Sequence, residues 1–232
     1  MSILIINIKE LLQVRDSNIL KVSGKDMKVL PTLKNAYVLI EDDTIIDYGI
    51  MDDLIKFEAD DVIDAEGKIV LPAWCDSHTH IVYAGHREQE FVDRINGLSY
   101  QEIAASGGGI INSAKKLQAT TQTALFAQSE KRLQEVIQQG TGAIEIKSGY
   151  GLTTQAEMKM LRVAKQLGEK YNITVKTTFL GAHAIPPKFK GNKDGYLDLV
   201  CGEMMEKISS ENLADYVDVF CEKGYFSVAD TN

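Results

Sequence analysis

Through the first seventy or so residues, apolar and polar positions alternate over short distances. The runs ILIINI (3–8), NAYVLIEDDTIIDYGI (35–50) and DVIDAEGKIV (61–70) are short, rich in β-formers and separated by polar turns. The acidic cluster Glu41-Asp42-Asp43 falls where two strands would meet in a hairpin. This pattern predicts a small sheet or part of a sandwich, without a core large enough to stand well alone.

From about Val70 the rhythm changes to strands alternating with helices. IVLPAWCD (69–76), TGAIEIKSG (141–149), ITVKTTFLGAHA (173–184) and DYVDVFCEKG (215–224) read as strands. Thr120 to Gln139 has helical spacing and stops at Gly140. Thr154 to Glu169 has it too, and Thr154-Gln155-Ala156-Glu157 fits a capping box in which Thr and Glu each satisfy an orphan backbone N–H. A further helix is expected from Gly195 to Ile208. Nearly continuous apolar strands alternating with helices imply a parallel α/β sheet. The polar signatures follow strand ends: His78 and His80 after the first, Lys147 to Gly151 after the second, His183 after the third, Cys221 and Glu222 after the fourth. A (β/α) barrel places its site there, and so does an open doubly wound sheet. No GxGxxG loop is present, since Gly107-Gly108-Gly109 has the wrong spacing. There is no internal repeat and no low-complexity segment.

Composition narrows the class. The chain is 44% hydrophobic and 25% charged, as soluble domains are. A net charge of −8 argues against a nucleic-acid partner, which requires a basic footprint. No apolar run approaches the ~20 residues needed to span a membrane, and the N-terminus lacks the basic start and cleavage site of a signal peptide. The three cysteines, Cys75, Cys201 and Cys221, are widely spaced without a CxxC, which suggests a reducing compartment. A cytoplasmic location follows as the expectation.

The first candidate chemistry is His78-Thr79-His80. With a side-chain period of two, both imidazoles leave one face of a strand, and neutral imidazole suits zinc or iron. Two polar residues capping a strand is the plain alternative. Asp76 lies on the same face as His78 and could accept from an imidazole. Cys75 is expected on the opposite face, in the core. A catalytic zinc usually has three protein ligands. The other candidates, loop His86, His183, Cys221 and Glu222, leave that count short.

The longer motifs LPAWCDSHTH, HTHIVYAGHREQEF, SYQEIAASGGGI, EIKSGYGLTTQAEMKMLRVA, TTFLGAHAIPPKF and VDVFCEKGYFS together resemble the imidazolonepropionase family of the amidohydrolase superfamily. The match runs from about Ile69 to Ser227, with a looser likeness in the N-terminal β segment. It departs at Ala73-Trp74, where the family has Gly and a smaller apolar residue. The fold so implied is α/β: the first half of an amidohydrolase-type (β/α)8 TIM barrel, residues 69–232, truncated after about strand 4. A small β-sandwich segment, residues 1–68, precedes it. A complete barrel takes ~250 residues.

The resemblance also implies roles. His78 and His80 match two metal-binding histidines, with a further histidine and an aspartate expected beyond Asn232. Arg87 matches the arginine that holds the substrate propionate, against the plain alternative of a surface ion pair with Glu88 or Glu90. Tyr150, His183 and Tyr100 match substrate contacts, against packing roles for each. The metal so implied is one Zn or Fe ion, and the implied substrate is 4-imidazolone-5-propanoate, expected to be opened by hydrolysis to N-formimidoyl-L-glutamate in histidine degradation. The acid and base residues are expected beyond residue 232, so the 232-residue chain by itself is expected to be inactive. A homodimer is implied for the full-length protein. Two other readings stand beside this one: another cyclic amidase or aminohydrolase of the superfamily, and a non-catalytic half-barrel.

Overall fold

The computed structural model describes residues 1–99, 102 and 108–232. The chain forms two compact units, Met1–Pro72 and Ala73–Asn232.

The first unit is one mixed sheet. β1 (Ser2–Leu12) pairs antiparallel with β2 (Thr32–Glu41), and β2 with β3 (Thr44–Ile50). β4 (Asp61–Asp64) and β5 (Ile69–Val70) lie parallel to β1. The β2–β3 hairpin turns at Asp42-Asp43, as the acidic cluster suggested, and Asp42 adopts φ 52°, a conformation Asp tolerates better than most residues. Alternation along β2 fills both faces: Ala36 and Val38 join Ile8 and Leu11, while Tyr37 and Leu39 join Leu4.

The second unit holds a parallel sheet of β6 (Trp74–Thr79), β7 (Thr141–Lys147), β8 (Thr174–Ala182) and β9 (Tyr216–Val219). Its spatial order is β6-β7-β8-β9, the order in sequence. An open doubly wound sheet reverses its order at a switch point; a barrel wall does not. The predicted strand 69–76 is broken. Ile69–Val70 pairs with β1 and only Trp74 onward enters the parallel sheet, because Pro72 has no N–H to contribute to a ladder.

The helices are α1 (Glu88–Ile95), α2 (Gly109–Ala119), α3 (Gln122–Gln138), α4 (Thr154–Lys170), α5 (Lys193–Leu199), α6 (Met205–Ser210) and α7 (Val228–Thr231). The hydrophobic pattern had not revealed α1 and α2. The helix expected over 195–208 is interrupted by a π-helical turn at Val200–Met204. The expected capping box is not formed. Thr153, one residue earlier, caps α4 by accepting from the Ala156 N–H, and Glu157 is engaged elsewhere.

Ile144 and Ile146 of β7 face outward into a core with Leu125, Leu133, Met160, Val163 and Leu167. Full burial of each such side chain contributes about 1.5–3 kcal/mol. On β8 and the last helices, Phe179, Tyr196, Met204, Ile208 and Phe226 form a second core. The opposite, concave face is polar. Asp76, Glu145, Lys147, Thr178 and Asp218 line an open cleft there. Cys75, expected in the core, is exposed and lines this cleft too, because β6 slips register beside β7. Cys201 and Cys221 are also exposed rather than packed. Among the described residues no helix is long and apolar enough to cross a membrane.

Candidate active site

The strand ends of the second unit bring four rings together. Thr79 closes β6 by donating its hydroxyl to the Glu145 carbonyl at 2.6 Å, which leaves His78 and His80 on either side of an anchored residue. Their ring centroids lie 5.7 Å apart. His80 stacks on His183 at 5.5 Å and 14°, and Tyr150 stands 5.1 Å from His80 and 5.4 Å from His183. Phe220 packs edge-on against His183. The structure thus brings His78, His80, Tyr150 and His183 into one cluster.

His80 Nδ1 is buried and lacks a hydrogen-bond partner, although such groups are almost always satisfied. Burial, then the neighbouring His183, His78 and Lys147, push the His80 pKa down to about 4. The ring is therefore neutral near pH 7 and has a lone pair to donate, which fits a metal. The set here is partial: among the described residues no group of three or more His, Cys, Asp or Glu side chains is arranged to hold one. Asp76 does not reach an imidazole; its Oδ1 accepts from the His78 backbone N–H at 3.4 Å.

His183 is fixed differently. Its Nδ1 lies 2.9 Å from the Gly149 carbonyl oxygen. A carbonyl only accepts, so Nδ1 carries the hydrogen and, in the neutral ring, Nε2 is the acceptor. Burial pushes its pKa down. Gly149 sits at φ +109°, and a Cβ there would lie 2.8 Å from His183 Nδ1, so a glycine is required on both counts.

The segment from His80 to Arg87 is stapled by the helices behind it. Arg132 of α3 donates from Nη1 to the carbonyls of Ile81 and Tyr83, both at 2.9 Å, and its guanidinium lies 3.5 Å from the Tyr83 ring centroid. Gln128 accepts from the Gly85 N–H. Among the described residues Arg87 pairs with Glu90 rather than with a ring of the cluster. Its Nε and Nη2 both meet Glu90 Oε2, at 2.7 and 2.5 Å, while Glu90 Oε1 accepts from the Gly109 N–H that opens α2. The ion pair considered as a plain alternative is therefore present. Burial raises the Glu90 pKa, but Arg87 and the Gly109 N–H outweigh it and the net shift is downward. His86 is exposed, 3.9 Å from Glu88. Tyr100 and Gly107 lie outside the described residues.

No family model matches the chain. The imidazolonepropionase of Christiangramia forsetii is 64% identical over 232 residues, all of this chain and 56% of that protein. The imidazolonepropionase of Flavobacterium johnsoniae is 61% identical over 228 residues, 98% of this chain and 56% of that protein. Along its whole length the chain is similar to these curated imidazolonepropionases. It spans about half the length of the curated imidazolonepropionases it matches.

Two solved structures share the fold. The triazine hydrolase of Arthobacter aurescens matches with a TM-score of 0.57 at 16% identity, over 90% of this chain and 42% of that one. The N-isopropylammelide isopropylaminohydrolase of Burkholderia multivorans matches with a TM-score of 0.51 at 17% identity, over 93% and 44%. A third, atrazine chlorohydrolase of Arthrobacter aurescens complexed with zinc and atraton, has a TM-score of 0.50 at 14% identity, over 86% and 43%. The second unit is thus an α/β half-barrel with a curled parallel sheet, the fold these structures share.

Two features have roles that the sequence pattern did not indicate. Glu157 looks like an ordinary first-turn glutamate and is fully buried beneath the Ser148–Leu152 loop. Glu145 and Lys147 flank Ile146 on an apolar strand and face the concave side. Their signal was available: paired charges at period two inside a buried strand mark an inward polar face.

Proposed function

We propose that the protein whose sequence this chain carries hydrolyses 4-imidazolone-5-propanoate to N-formimidoyl-L-glutamate, adding water across a ring C–N bond next to the carbonyl. The observation that carries this reading is the cluster of His78, His80, Tyr150 and His183 at the strand ends, in a chain 64% identical over 232 residues to an imidazolonepropionase.

In this reading His78 and His80 hold a Zn or Fe ion, and the orphaned Nδ1 of the neutral His80 supports that assignment. When bound, such an ion polarises the carbonyl and lowers the pKa of a water to about 7. His183, protonated at Nδ1, offers Nε2 as an acceptor to a ring N–H of the substrate. Tyr150 packs beside both imidazoles and closes one wall around the ring. Arg87, oriented by Glu90 through one edge of its guanidinium, binds the propionate carboxylate, a pairing that suits a planar fork of donors. Tyr100 is assigned a further pocket contact on the resemblance of its motif. Water activation and proton delivery to the leaving nitrogen fall to groups outside this residue set.

The proposal extends to a composite small β domain contributed in part by residues 1–68, a barrel of which 69–232 is the first half, a cytoplasmic location and a homodimer. The zinc of the fold neighbour favours zinc as the first metal to try. The test is a hydrolysis assay on the full-length protein with imidazolonepropanoate, set against dihydroorotate and guanine. Turnover of the imidazolone alone supports the reading, and turnover of either alternative in its place overturns it.

A further inference from the structure

Glu157 lies in the first turn of α4 and is fully buried. Its Oε2 accepts from the Gly149 N–H at 2.7 Å. Its Oε1 accepts from the N–H groups of Gly151 and Leu152 at 2.7 and 2.8 Å. The loop Ser148–Leu152, which carries Tyr150, is therefore wound around a single carboxylate. Gly149 is the pivot: its N–H is held by Glu157 and its carbonyl holds His183.

We infer that Glu157 is a positioning residue for the candidate active site, setting the Gly149 peptide so that its carbonyl fixes His183 as the Nδ1–H tautomer. The inference rests on the reading of His183 as a substrate contact, where that tautomer leaves Nε2 as the acceptor. Chemistry explains the residue type. Gly149, Gly151 and Leu152 present backbone N–H groups and Ser148 adds its hydroxyl, so both side-chain oxygens must accept. Glutamine presents an NH2 either to Gly149 or to Gly151 and Leu152, placing donor against donor. Aspartate is one methylene short of a loop that contacts both oxygens. A helix cap would not use the residue this way, since Thr153 already caps α4.

The decisive readout is the tautomer of His183, measured by long-range imidazole 1H–15N correlation in the full-length protein labelled with 15N-histidine. In the native sequence His183 is expected as Nδ1–H. In Glu157→Gln the Gly149 peptide turns away and His183 is expected to lose its single tautomer. In the full-length enzyme, kcat/KM for the same variant should fall about 100-fold, the scale of a small misplacement of a contacting group. A native His183 protonated at Nε2, or an unchanged tautomer in a folded Glu157→Gln, overturns the inference. A fall in melting temperature with the tautomer intact counts against it as well. If the variant does not fold, scalar couplings through the hydrogen bonds from Gly149, Gly151 and Leu152 to the Glu157 carboxylate are measured in the native full-length protein. Their presence supports the inference and their absence overturns it. Failure of the wild-type enzyme to hydrolyse imidazolonepropanoate would instead overturn the hydrolase reading, which the tautomer measurement does not depend on.

Discussion

The Lys147 ammonium lies 3.0 Å from the Asp218 carboxylate, joining β7 to β9 across the intervening strand β8. Strands two apart in a flat sheet are ~9.5 Å apart. A side chain bridges them more readily where the sheet curls, and in a barrel, side chains from alternate strands meet in this way. Lys147 also contacts Glu145 at 2.7 Å, and Glu145 Oε2 is already buried without a partner.

Lys147→Met should therefore destabilise the second unit. It leaves two carboxylates facing one another, one of them in a nearly dry site. Removing one partner of a buried ion pair costs about 3–5 kcal/mol, and the partial exposure of Asp218 places this case near the lower end. Urea denaturation followed by circular dichroism measures it. A loss below ~1 kcal/mol would show that the bridge contributes little.

The same bridge sets a pH dependence. Burial raises the Asp218 pKa, but the bonds from Lys147 and the Val219 N–H outweigh it and the net shift is downward. A depressed carboxylate contributes stability above its unfolded pKa of about 3.9, and that stability is lost as pH falls through the folded value. Stability should drop as pH falls below about 4, with a shallower slope in Lys147→Met. Parallel slopes in the two proteins would assign the acid sensitivity to other carboxylates.

Arg87→Ala in the full-length enzyme should lower kcat/KM by roughly 2–5 kcal/mol, the cost of truncating one partner of a charge pair on binding. Glu90→Gln should have a smaller effect, since it removes an orienting partner and leaves the charge. Steady-state kinetics on both variants decides, and an unchanged kcat/KM in Arg87→Ala would remove it from the site.

His183→Ala should leave the metal content of the full-length protein nearly unchanged while activity falls, whereas His78→Ala and His80→Ala should lose the metal. Elemental analysis separates the roles. Loss of the ion from His183→Ala would reassign His183 as a ligand.

Expressed by itself, the 232-residue chain should bind metal weakly, since the proposed assignment of His78 and His80 supplies two of the three protein ligands usual at a catalytic zinc. It should show no measurable imidazolonepropanoate hydrolysis and should self-associate. β9 is an edge strand with Tyr216 and Val217 both more than half exposed, and its unpaired backbone N–H and C=O groups offer a template for pairing with another chain. Size-exclusion chromatography should show Tyr216→Lys shifted toward monomer, since an edge charge opposes pairing. A native chain that elutes as a monomer, binds one metal tightly and turns over substrate would refute this expectation.

The sequence by itself determined what repeats locally. Short β-rich runs between polar turns marked the strands of the first unit, nearly continuous apolar runs marked those of the second, helical spacing marked α3 and α4, and the succession of strand and helix implied the parallel sheet. It also placed His78, His80, Tyr150 and His183 at strand ends, because a strand end is where apolar periodicity stops. Tertiary structure decided what depends on partners distant in the chain. Pro72 and the pairing of Ile69 with Glu10 split one apolar run between two sheets. A register slip turned Cys75 out of the core. Glu157, three residues after Thr154, reads as a capping partner, yet its carboxylate serves the loop carrying Gly149 because burial left it no water and the backbone N–H groups there had no other acceptor. Local pattern records which residues face inward; only the folded chain records which donors and acceptors they meet there.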